Sequence, residues 1–98
     1  MELHWETVYD EPGNKLDVAV LAPGIWLTLQ KKFNEYNKDY YCQLKICHLT
    51  NAEIILWASS KDKEKYEKDI LECKKYANVI AGSFLGQQHL YRDYPKNL

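Results

Sequence analysis

Apolar residues come in short alternating runs along the first sixty positions and at helical spacing thereafter. Residues 3–9 (Leu-His-Trp-Glu-Thr-Val-Tyr) are aromatic and β-branched, and they end in Asp-Glu-Pro-Gly-Asn, a turn sequence. There Pro12 presets φ, while Gly13 and Asn14 tolerate positive φ. Residues 16–21 alternate, with Leu16, Val18 and Val20 on one face and Asp17 on the other. The two runs read as a hairpin joined by residues 10–15 and closed by Ala-Pro-Gly at 22–24.

Residues 25–38 fit two periods. At helical spacing Trp26, Leu29, Phe33 and Tyr36 form one stripe. At period two Ile25, Leu27, Leu29 and Phe33 share a face, but Lys31 then falls on the buried side. The Pro-Gly lead-in and the Leu-Gln-Lys-Lys run also favour a helix, so a second helix is expected here, with a strand as the alternative.

Residues 40–49 read as a strand with Cys42, Leu44 and Ile46 facing one way and Gln43 and Lys45 the other. A turn at Thr50-Asn51-Ala52 leads into residues 53–59, whose Ile54-Ile55-Leu56-Trp57 centre reads as half or fully buried. Tyr66, Ile70, Cys73, Ala77, Ile80 and Phe84 then recur at steps of three and four, the apolar stripe of a long helix. Ser59 or Ser60 is its expected N-cap, with Asp62 as a capping-box-like partner. Glu64–Lys68 and Lys68–Glu72 are its expected ion pairs, and Gly82 or Gly86 its expected end. Residues 87–98 read as a last short strand or an arm.

The fold class is therefore α+β: an antiparallel sheet of four to five strands with the long C-terminal amphipathic helix packed on one face and a second helix near residues 25–38. The competing picture is a five-stranded meander covered by the C-terminal helix. A chain of 98 residues makes a single domain, 1–98, with 86–98 as the candidate for a less ordered tail. Burying about two thirds of its surface would give it one core without staples.

Composition narrows the chemistry. The net charge of −1 gives no global field for a polyanion or a membrane, and there is no apolar run of membrane-spanning length. The N-terminus lacks the basic and apolar regions of a signal peptide, and three cysteines do not look like a disulfide framework. The resulting expectation is a reducing cytoplasm. Arg92 is the single arginine, which speaks against a sequence-specific DNA reader.

No stretch carries a family signature, and no catalytic residue, metal ligand or cofactor is assigned. Cys42 and Cys47 point to opposite strand faces, and Cys42 and His48 lie about 20 Å apart along a strand, so the cysteines read as core. The glycines form no phosphate-binding loop, and the Ala-Gly-Ser-Phe-Leu-Gly around Ser83 lacks nucleophile-elbow spacing.

What remains is charge asymmetry and aromatic abundance. Residues 1–24 hold five acids against Lys15 alone, and the chain has eight tyrosines and three tryptophans. The leading expectation is a non-enzymatic protein-binding module of inhibitor, immunity or adaptor type, meeting a partner with a basic surface. Glu6, Asp10 and Glu11 would steer it, with Tyr36, Tyr41, Tyr91 and Tyr94 as aromatic anchors. The alternative is a single-stranded nucleic-acid binder using Tyr41, Gln43 and Lys45 on a sheet face. A small enzyme using His48 or His89 as general base ranks third. Pairing of two copies through an edge strand or the aromatic tail is open.

Overall fold

Both hairpins read from the alternation are present, and the segment between them is a fifth strand. In the computed structural model, which describes residues 3–9 and 15–93, the order is β1 (Glu6–Tyr9), β2 (Lys15–Ala22), β3 (Ile25–Asn34), β4 (Asp39–His48), β5 (Asn51–Ser60) and α1 (Lys63–Asp93). The strands form one antiparallel meander in the order β1-β2-β3-β4-β5, with α1 packed on the sheet. The fold is α+β.

The helix expected over 25–38 does not form, because two features support the strand. Pro23 and Gly24, the latter at φ 78°, occupy the tight turn between β2 and β3, where proline and a positive-φ glycine suit the two central positions. Lys31, the residue that argued against a strand, lies 2.9 Å from the buried Asp17 carboxylate of the adjacent strand. At the far end of β3 the Asn34 side chain accepts the Tyr36 and Asn37 amide N–H groups at 2.9 and 3.3 Å. Lys38 completes that turn at φ 57°.

The core lies between sheet and helix. Leu27 and Leu29 of β3 and Cys42 and Leu44 of β4 meet Cys73 and Ala77 of α1, with Leu3, Trp5, Ile46, Ile55, Tyr66 and Ile70 packed around them. The Tyr40 ring bridges Phe33 and Tyr66, with centroids 4.7 and 4.9 Å away, and closes the core near the start of the helix. The helical stripe reads as expected from Tyr66 to Ile80, whereas the side chain of Phe84 lies outside the described residues.

The alternation in β2 holds, with Asp17 and Ala19 buried under the helix and Val20 69% exposed on the other side. Two local readings are corrected. Of residues 54–57, Ile55 packs against the core, whereas Ile54, Leu56 and Trp57 are exposed because β5 is the sheet's outer strand. The helix cap is Asp62, whose carboxylate accepts the Glu64 N–H at 3.0 Å, a contact of about 1 kcal/mol; Ser60 instead accepts the Asp62 N–H.

Among the described residues, the ion pairs within α1 are Lys65–Asp69 and Glu72–Lys75, not the expected Glu64–Lys68 and Lys68–Glu72. The helix passes through Gly82 and Gly86, so residues 87–93 are helical and not a strand. No helix among the described residues is long and apolar enough to cross a membrane.

Candidate functional site

Of the expected partner-binding residues, Glu6, Tyr36 and Tyr41 can be placed. Asp10, Glu11 and Tyr94 lie outside the described residues, and Tyr91 falls within α1 where side chains are not described. Tyr36 sits in the turn after β3, 98% exposed. Glu6 is on β1, its carboxylate 3.8 Å from the His4 ring. Tyr41 is on β4, three strand spacings or roughly 14 Å across the sheet from β1. Glu6 and Tyr41 nevertheless share one face, the side of the sheet away from α1.

Register builds that face row by row. One row runs Glu6, Val18, Thr28, Lys45, Ile54. The next runs Val8, Leu16, Gln30, Gln43, Trp57, and flanking rows add Val20, Trp26, Cys47, Ala52 and Lys32, Tyr41, Ser59. A register shift in β5 opposite Leu44 and Lys45 places Ile54 and Trp57 on this same side, although they are three residues apart.

The centre is polar and low, and the rim is apolar. Thr28 and Gln43 are buried, whereas Val8, Val20, Ile54 and Trp57 stand exposed around them. Two shallow depressions result, one of about 370 Å³ over Thr28, Gln43 and Lys45, the other of about 320 Å³ between Lys32 and Tyr41. Gln30 lines both. The amides supply donors and acceptors, Lys32 and Lys45 supply cations, and Trp26, Tyr41 and Trp57 supply ring faces. The Tyr41 and Trp57 rings are 6.3 Å apart and tilted by 32°.

The helix-covered face holds the Asp17 ion cluster and the thiols of Cys42 and Cys73. Asp17 accepts the Thr7 hydroxyl at 3.0 Å and meets Lys31 at 2.9 Å and Lys74 at 3.8 Å. Lys74 also stands 5.9 Å over the Trp5 ring, so this cluster ties β1, β2 and β3 to α1. It is a structural arrangement, with every polar atom of the carboxylate engaged.

Cys42 and Cys73 share a hydrogen bond in the core, and burial raises both thiols; Cys73 is pushed up to about 12. A folded thiol above its ordinary value of 9.0 binds its proton where the unfolded chain has lost it. Its contribution to stability is therefore complete below pH 9.0 and is lost as pH rises toward about 12. Cys47 is only half-buried, on the uncovered face. In native protein at pH 8, alkylation followed by mass spectrometry is expected to label Cys47 and spare Cys42 and Cys73 until denaturant is added. Equal labelling of all three would refute the packing described.

No group of three or more His, Cys, Asp or Glu side chains positioned for a metal ion occurs among the described residues. His48 pairs with Ile25 and Asn51 at the end of β4, on the face opposite to that of Cys47. Sequence reasoning found Tyr41, Gln43 and Lys45 on one face but missed Val20, Gln30, Ile54 and Trp57. For Ile54 and Trp57 the signal was the apolar β5 sequence, with Glu53 its single charge, which burial would have explained equally well. Compared with protein-family models, with curated proteins and with solved structures, the chain matches none.

Proposed function

We propose that this chain is a non-enzymatic protein-binding module whose recognition surface is the uncovered face of its sheet. One observation carries the reading: exposed Val8, Val20, Ile54 and Trp57 surround a hydrogen-bonding centre of Thr28, Gln30 and Gln43. Apolar anchors around polar groups are what a protein interface uses to gain affinity and register. Glu6 lies on this face, and the acidic residues Asp10 and Glu11 follow β1, which fits a partner with a basic surface approaching from that edge.

A specific arrangement favours a second reading. Tyr41 and Trp57 form a paired aromatic platform beside Lys32, as single-stranded nucleic acid requires for base stacking. Magnitude sets the order of the two. Lys32 and Lys45 together would neutralise about two phosphates, a salt slope of only about −1.4 and correspondingly weak binding.

Capture from the native host with tagged protein, with and without nuclease, separates the readings. A protein partner is expected to survive nuclease and to bind Tyr41→Ala and Val20→Lys at least roughly thirty-fold more weakly, the loss of an anchor worth about 2 kcal/mol. Recovery that disappears with nuclease would transfer the face to nucleic acid. A partner held equally well by both variants would remove this face as the site.

A further inference from the structure

Two cysteines meet across the interface between sheet and helix. Cys42 of β4 and Cys73 of α1 are fully buried, belong to one core cluster and share a side-chain hydrogen bond. The helix comes close to the sheet at this point. It lies over β4 and β5, and its buried stripe is Cys73, Ala77 and Ala81, small side chains at steps of four. Short side chains let the helix backbone approach the strand, which is what two cysteine Cα atoms need to be bridged. The two positions are thirty-one residues apart in the chain, and β4 has a paired strand on either side. A bond between them would therefore tie the helix to the interior of the sheet. Cys47 sits on the opposite face of β4 and takes no part.

We propose that Cys42 and Cys73 are a redox pair, a dithiol that a low-molecular-weight disulfide such as oxidised glutathione converts to a cross-link between β4 and α1. In the first step one cysteine thiolate attacks a glutathione sulfur, breaking that S–S bond and releasing one glutathione thiolate. The other cysteine then displaces the second glutathione from the mixed disulfide. The chain loses two protons and two electrons, which end on two glutathione thiols. Burial makes both steps slow, because the reacting form is the thiolate and desolvation holds both thiols protonated. Exchange therefore passes through a state in which the helix lifts from the sheet, while the final balance depends on the fit of the folded state. Sulfurs already hydrogen-bonded favour the bond in the folded chain, and by linkage the bond favours folding. The cross-link is a latch that oxidation closes and a reducing compartment keeps open. This goes beyond the binding-module reading and does not depend on it.

Cys47→Ser protein, which has no third thiol, tests the proposal in glutathione buffers of graded redox ratio. Equilibrium is approached both from reduced chain and from chain oxidised in urea, so slow access does not decide the outcome. Intact mass after acid quench and alkylation gives the cross-linked fraction. The folded chain is expected to be half cross-linked in a buffer at least roughly ten-fold less oxidising than the unfolded chain in urea requires. The cross-linked form should melt on the order of 10 °C higher, and a dithiol reductant should reverse the shift. Cys73→Ala added to Cys47→Ser leaves one thiol, and its melting temperature should not rise in the same buffers. A folded chain that needs a buffer as oxidising as the unfolded chain does, or a cross-link that adds no thermal stability, would overturn the proposal. Recovery of glutathione adducts alone would overturn it as well.

Discussion

Leu44→Ala is expected to cost about 3–5 kcal/mol, the largest loss from any single truncation here. Leu44 is fully buried on β4, opposite Leu29 of β3 and Leu56 of β5, beneath α1. Its loss forfeits transfer energy and leaves a cavity that paired strands on both sides cannot collapse to fill. A domain of this size is stable by roughly 5–15 kcal/mol, so much of the margin goes. Urea melts should show it as a lower midpoint, and thermal melts as a drop on the order of 15–25 °C. Val20→Ala, on the uncovered face, should change stability by less than about 0.5 kcal/mol. Equal effects at the two positions would mean that the core does not lie on the side described.

Lys31→Met is expected to follow, at about 2–3 kcal/mol. The substitution suits a strand and packs well, so a merely exposed lysine would tolerate it. Asp17, however, is 3% exposed and depends on Lys31 at 2.9 Å. Lys74 at 3.8 Å and the Thr7 hydroxyl would be its remaining partners, which keeps the cost below that of a fully orphaned charge. Asp17→Asn should cost less, about 1 kcal/mol, because Lys31 and Lys74 are partly exposed and can turn to water. Chemical denaturation of both variants checks the order. A costlier Asp17→Asn would show that the lysines, and not the carboxylate, depend on the cluster.

That cluster also decides what the sequence left open. Alternation in residues 16–21 was legible, but alternation gives a period and not a direction. Leu16, Val18 and Val20 are the more apolar set, and they nevertheless face away from the helix because Asp17 finds Lys31 and Lys74 inside. The same pair turned the case for residues 25–38. A lysine on the covered face argues against a strand only while its partner, fourteen residues earlier in the chain, is unseen.

The candidate site was half legible for a related reason. Tyr41, Gln43 and Lys45 share a face by simple parity along one strand, and β4 keeps that parity. Trp57 and Ile54 join them only because β5 bulges opposite Leu44 and Lys45, a feature of pairing and not of local sequence. Their exposure follows from β5 being the last strand of the meander.

By itself, the sequence determined the local periods: two hairpins, the inward set Cys42, Leu44 and Ile46, and the long helix with its stripe from Tyr66 to Ile80. These depend on interactions within a few residues, where spacing and turn chemistry suffice. Only the tertiary structure decided the fate of residues 25–34, which face of β2 is buried, and which strand forms the open edge. Each of those is settled by residues distant in the chain: a carboxylate for Lys31, a helix that covers one side of the sheet, and a second neighbouring strand that β5 lacks among the described residues.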